Sequence, residues 1–209
     1  MSALDQLRRY MDPCPLVAIL RGVKPDEAEA MGDAVFDAGI RIIEVPLNSP
    51  DPLNSIEKLA AKFGDRALVG AGTVFTPANV EDVQAVGGRL IVCPHVNAAV
   101  IRAAAAAGMV SSPGYFTPTE AFAALDAGAT ALKLFPAEGA SPAVLKAQLA
   151  VIPRDVPIFA VGGISPDNMQ PWLDAGASGF GLGSGLYKPG QSAAETAEKA
   201  RAYVAGLRR

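Results

Sequence analysis

Short apolar runs recur along the chain between polar stretches punctuated by glycine and proline. They are LVAIL (16–20), IIEV (42–45), ALVGAG (67–72), LIVC (90–93), MVSS (109–112), ALKLF (131–135), IFAV (158–161) and GFGLG (179–183). Each holds four to six residues. They are largely apolar rather than alternating, as expected of strands buried on both faces of a parallel sheet. The intervening segments carry helix punctuation. Glycines close apparent helices at Gly39, Gly64, Gly87, Gly108, Gly128 and Gly176, the residue best able to adopt the left-handed cap conformation. Openings recur as Ser-Pro or Thr-Pro at 49, 76, 117, 141 and 165. Such pairs place an N-cap hydroxyl before a proline in the first turn. Thr117 also has Glu120 three positions on, a capping box.

Eight strand–helix units then fill the chain without a linker-like break. That predicts an α/β protein, a (β/α)8 TIM barrel formed as one domain over 1–209, with an open doubly wound sheet as the alternative. The first dozen residues predict an extra N-terminal helix closing the bottom of the barrel.

Composition narrows the function classes. Half of the 209 residues are hydrophobic and 19% are charged, enough for a packed core. The net charge is -3, and the basic pairs Arg8-Arg9 and Arg208-Arg209 read as solvated helix ends, not a nucleic-acid footprint. No run is long enough to span a membrane, and the opening residues lack the apolar core of a signal peptide; the expected location is the cytoplasm. Cys14 and Cys93 provide no disulfide framework. The single histidine, His95, precludes a zinc site built on several imidazoles of one chain. It closes the fourth strand, and reads either as a ligand contact or as a loop histidine.

Three charged residues interrupt or follow strands: Arg21 after the first, Glu44 in the second and Lys133 in the sixth. An isolated lysine kept neutral at pH 7 costs roughly 4–5 kcal/mol against its reference pKa. That is large beside a net stability of about 5–15 kcal/mol. In an eight-stranded barrel the second and sixth strands stand opposite, so Glu44 and Lys133 reach one cavity at the catalytic end. A desolvated lysine can attack a ketone as the free amine, and a facing carboxylate can move protons. The alternative is a buried ion pair that fixes packing, a weak source of stability.

The seventh strand runs into VGGIS (161–165) and the eighth into GLGSGL (181–186). Loops at these two positions are the recurrent phosphate site of the barrel, where glycine lets backbone amides approach an anion. GAGT (70–73) adds further amides and the Thr73 hydroxyl, sufficient for a carboxylate.

The motifs AILRG (18–22), IEVPLNSP (43–50), GAGTV (70–74), ALKLFP (131–136), AVGGI (160–164) and GLGS (181–184) occur in an order and spacing that extend over the whole chain. In this the chain resembles the 2-keto-3-deoxy-6-phosphogluconate/galactonate aldolases, class I enzymes that act without metal or cofactor. The resemblance implies that Lys133 forms a Schiff base and that Glu44 is the acid/base group. It places Arg21, Thr73, Gly162, Gly163, Gly183 and Ser184 around a phosphorylated keto-deoxy sugar acid, with glycines and Ser184 at the phosphate. Pro94 and Phe135 would surround the pyruvate portion, Val161 is a further substrate-site residue, and a homotrimer is implied. Phosphogluconate enzymes usually carry arginine at the position of Asn48, and commonly threonine at that of Val161. The forms found here resemble the galactonate enzymes, which predicts the galacto epimer as substrate. The gluco epimer, a phosphosugar isomerase or epimerase, and a phosphate-ligand binding protein are the alternatives.

Overall fold

The computed structural model describes residues 1–207; the Arg208-Arg209 pair lies outside the described residues. Helix α1 (Ala3–Met11) precedes eight strand–helix units. The first four are β1 (Leu16–Ile19) with α2 (Ala28–Asp37), β2 (Ile42–Pro46) with α3 (Pro52–Phe63), β3 (Leu68–Gly72) with α4 (Pro77–Ala85), and β4 (Leu90–Cys93) with α5 (Ala98–Ala106). Next come β5 (Val110–Tyr115) with α6 (Pro118–Asp126) and β6 (Leu132–Leu134) with α7 (Pro142–Gln148). The last are β7 (Ile158–Val161) with α8 (Met169–Ala175) and β8 (Gly179–Leu182) with α9 (Ala193–Gly206). All strand pairs are parallel and the sheet closes in sequence order, β8 on β1. The chain is therefore the expected (β/α)8 barrel, not an open sheet.

Strand parity explains the apolar runs. In β6, Leu132 and Leu134 face outward into the layer beneath the helices, while Ala131 packs with the residues inside the barrel. Lys133 shares that inward parity. Burying the two leucines is worth roughly 3–6 kcal/mol, comparable to the cost of the lysine between them. The same alternation places Ile43 and Val45 outward and Ile42 inward on β2, so Glu44 also points inside. At the bottom, Leu7 and Tyr10 of α1 pack on Ile42, Leu68, Leu90, Val110 and Phe159, and Tyr10 Oη donates to the Asp65 carbonyl at 3.0 Å. The N-terminal helix is the floor of the barrel, as expected.

All six stop glycines have positive φ, between 50° and 114°. Three of the five expected openings cap helices through their hydroxyls, at Thr76, Thr117 and Ser141. Two do not. Ser49 Oγ instead accepts from the Gly22 N–H at 2.9 Å, and α3 starts beyond it, after Asp51. At Ser165 the N–H donates to Asn168 Oδ1, holding a turn before α8 begins. Strand β5 also runs past MVSS to Tyr115; Pro113-Gly114 reads as a strand stop, yet Pro113 lies opposite Cys93 in the ladder.

Candidate active site

Strands β2 and β6 stand opposite in the closed barrel, which brings Glu44 and Lys133 into its interior. Glycines stand beside them in the strand ladder. Glu44 pairs with Gly70, Lys133 with Gly114, and Val161 with Gly181. Gly72 adds a closer constraint, because a Cβ there would overlap the Glu44 carboxyl. The lysine is 8% exposed and the glutamate 2%. No salt bridge joins them among the described residues, and Glu44 Oε2 is buried without a hydrogen-bond partner there. Both line a small cavity of about 20 Å³ that also takes in Ser112 and the apolar barrel core. A volume of that size holds about one water.

Burial dominates the electrostatics. It lowers the Lys133 pKa, against the attraction of Glu44, and Arg21 lowers it further. It raises the Glu44 pKa, opposed by Lys133 and Arg21. Against the attraction between their charged forms, burial pushes both groups toward their neutral forms, amine and carboxylic acid. That combination can add an amine to a carbonyl and supply the proton that dehydrates the adduct. Cys93, at the end of β4, has its thiol pushed up to about 12, first by burial; it is a packing residue in the outer layer.

Above the lysine opens a cavity of about 630 Å³. Lys133, Arg21, Thr73, Pro94, Phe135 and Val161 line it, together with Gly162, Gly163, Gly183 and Ser184. Glu44 alone of the expected site residues does not line this cavity; it lines the smaller one with Lys133. Lys133 Nζ stands 4.6 Å over the Phe135 ring. Arg21 is held by two acceptors: Nη1 donates to Asn48 Oδ1 at 2.7 Å and Nη2 to Thr73 Oγ1 at 3.3 Å. Thr73 has φ 59°, an unusual conformation for a β-branched residue and one associated with functional sites. Asn48 therefore orients a cation, whereas sequence reasoning treated it as the loss of one. His95 is exposed and packs against the Phe75 ring at 5.7 Å, outside the cavity.

The loops after β7 and β8 form part of the cavity wall. Gly162 and Gly163 have φ of 110° and 67°, open only to glycine without strain. A Cβ on Gly162 would overlap the Glu138 carboxylate. After β8, the Leu186 and Tyr187 N–H groups both donate to the Gly183 carbonyl. A glycine-rich pair of loops of this kind can hold an anion through main-chain N–H groups. Glu138, Ile164, Ser165, Gly185 and Tyr203 also line the cavity. Ser165 and Gly185 belong to motifs already recognised, but Glu138 and Tyr203 were missed. The spacing of Thr196, Ala200 and Tyr203 marks an inward helix face, and a buried tyrosine on it signals a hydroxyl in need of a partner.

No helix among the described residues is long and apolar enough to cross a membrane, and no three His, Cys, Asp or Glu side chains there come together as a metal-ligand set. Residues 7–201 match the family model described as KDPG and KHG aldolase. The 2-dehydro-3-deoxy-6-phosphogalactonate aldolase of Escherichia coli strain K12 is 50% identical over 200 residues, 96% of this chain and 98% of that protein. A solved structure described as native KDPGal superposes with a TM-score of 0.92 at 50% identity, covering 93% of this chain and 94% of that one. A KDPG aldolase from Legionella pneumophila, solved with pyruvate captured as a covalent carbinolamine intermediate, gives 0.79 at 28% identity over 92% and 95%.

Proposed function

The chain belongs to the KDPG and KHG aldolase family, and on that premise we propose that it cleaves 2-dehydro-3-deoxy-6-phosphogalactonate to pyruvate and D-glyceraldehyde 3-phosphate. The observation that carries the reading is the buried Lys133 amine, with its pKa lowered, which lines both the small cavity shared with Glu44 and the larger cavity lined by the two glycine loops. The galactonate enzyme of Escherichia coli is half identical to this chain, whereas the Legionella KDPG aldolase is 28% identical. We place the reaction in the cytoplasm and the active form in a homotrimer.

The Lys133 Nζ lone pair attacks the substrate C2 carbonyl, whose oxygen takes up a proton. Glu44, directly or through one water, supplies the proton that removes this oxygen as water and leaves an iminium. The resulting carboxylate accepts the proton of the C4 hydroxyl as the C3–C4 bond breaks. The electron pair of that bond becomes the C2=C3 bond of an enamine, with the iminium as electron sink, and glyceraldehyde 3-phosphate departs. Protonation at C3 and addition of water release pyruvate and regenerate the amine. Arg21, oriented by Asn48 and Thr73, binds the substrate carboxylate. Gly162, Gly163, Gly183 and Ser184 bind the phosphate, and Pro94, Phe135 and Val161 enclose the three carbons that become pyruvate.

Two measurements test this. Pyruvate with borohydride leaves a reduced adduct on Lys133, and Lys133→Ala loses the adduct together with turnover; undiminished turnover in that variant would refute covalent catalysis. Pyruvate release from the two C4 epimers, compared by kcat/KM, favours the galacto compound. Preference for the gluco epimer retains the chemistry but removes Asn48 and Val161 as specificity markers.

A further inference from the structure

Tyr203 lies on α9, the last helix, and its side chain ends inside the cavity wall. The residue is 3% exposed. Its hydroxyl donates to the Ile164 carbonyl, in the loop after β7, at 2.8 Å. The same hydroxyl rests against Gly185, in the loop after β8, where a Cβ would overlap it. One atom thus touches both glycine loops. Asn168, by contrast, braces only the first, donating from Nδ2 to the Gly163 carbonyl at 2.8 Å and accepting from the Ser165 N–H at 2.9 Å. Helix α9 is itself anchored on α2, where Thr196 Oγ1 contacts Met31 Sδ at 3.4 Å.

We propose that Tyr203 is the positioning residue that holds the two phosphate loops at their working separation and so sets the preference for a phosphorylated substrate. The proposal rests on the aldolase reading above. A phosphate held by main-chain N–H groups from two loops needs both at hydrogen-bond distance simultaneously, and charge-assisted bonds of this kind are strict in length. If the strut is lost, the loops relax apart by a fraction of an ångström and the dianion loses contacts on one side. The lysine chemistry, at Lys133 on β6, is untouched.

The test separates phosphate binding from that chemistry. In the condensation direction, Tyr203→Phe raises KM for D-glyceraldehyde 3-phosphate about three- to tenfold, the net worth of one hydrogen bond. It leaves KM for unphosphorylated D-glyceraldehyde and the exchange of pyruvate methyl protons with deuterated water within about twofold, well below that net worth. Gly185→Ala gives the same selective defect, because its Cβ displaces the hydroxyl. In the Tyr203→Phe background it adds nothing further, since that Cβ then makes only ordinary contacts, with the ring Cζ and the Ile164 carbonyl oxygen, both at 3.5 Å. A tyrosine that merely stabilises the fold would lower the melting temperature and affect both aldehydes equally. That result, an unchanged KM ratio, or additive effects of the two substitutions would each overturn the proposal. Failure of the aldolase reading itself is distinct, because the wild-type protein would then show no pyruvate exchange at all.

Discussion

Lys133 and Glu44 differ from their surface counterparts in the sign of what burial does to them, and the sign has a measurable consequence. Burial depresses the lysine pKa, the negative Glu44 opposes this, and Arg21 reinforces it; Cys93 is the remaining titratable neighbour and opposes it weakly. The reactive species is the neutral amine, so adduct formation with pyruvate falls as pH drops through the depressed lysine pKa. Glu44→Gln removes the charge that favours the ammonium and moves this acid limb to lower pH. Arg21→Gln removes a cation that disfavours it and moves the limb to higher pH. The readout is the midpoint of borohydride trapping against pH, not its amplitude, which both substitutions also reduce. Midpoints that move together, or not at all, would mean that the two residues do not set the lysine's protonation state. The curves belong to a coupled pair and are read as apparent values of the pair.

The pairing of β2 with β3 shows how strand geometry serves the chemistry. Gly70 and Gly72 lie opposite Glu44 and Pro46, and the slot above Gly72 is filled by the Glu44 carboxyl. A Cβ at position 72 meets the free end of a side chain, so the barrel tolerates it while the carboxyl swings away. Gly72→Ala therefore folds with an unchanged circular dichroism spectrum but slows pyruvate proton exchange about a hundredfold, the lower range for a misplaced general acid/base. Exchange at the wild-type rate would show that the carboxyl does not need this slot. Much at this scale was legible in the chain. Position near the catalytic ends of facing strands placed Glu44 and Lys133 at one cavity, and glycine after six of the helices marked real left-handed stops, the latter because it depends on local backbone geometry. The Ser-Pro pairs at 49 and 165 misled because those groups found tertiary or turn partners, Gly22 and Asn168. Glu138 and Tyr203 left no motif for a related reason: they reach the cavity from a turn after β6 and from α9, and only the closed barrel brings those elements to one wall.

The outer surface of the whole molecule carries one feature that a single barrel does not explain. Phe75, Phe116 and Phe122 are 50%, 38% and 40% exposed. They lie on the loops after β3 and β5 and one turn into α6, and the exposed His95, after β4, packs on Phe75. The loops after three consecutive strands thus share a run of solvent-facing rings, of the kind that marks an interface in a soluble protein. None of the three phenylalanines lines the catalytic cavity, so contacts through them leave its mouth open. In the proposed threefold ring each copy would offer this ridge to a different patch of its neighbour, a rotation that closes. A stable contact of this kind buries about 800 Å² on each partner, more than three rings alone supply, so the surrounding loops take part. Light scattering at micromolar concentration then gives a mass three times the 21.5 kDa chain. Phe75→Asp with Phe122→Asp places two charges in the contact, shifts the mass toward that of one chain, and leaves the pyruvate adduct on Lys133 intact. A wild-type mass of one chain, or a trimer indifferent to both charges, would remove this ridge as the interface.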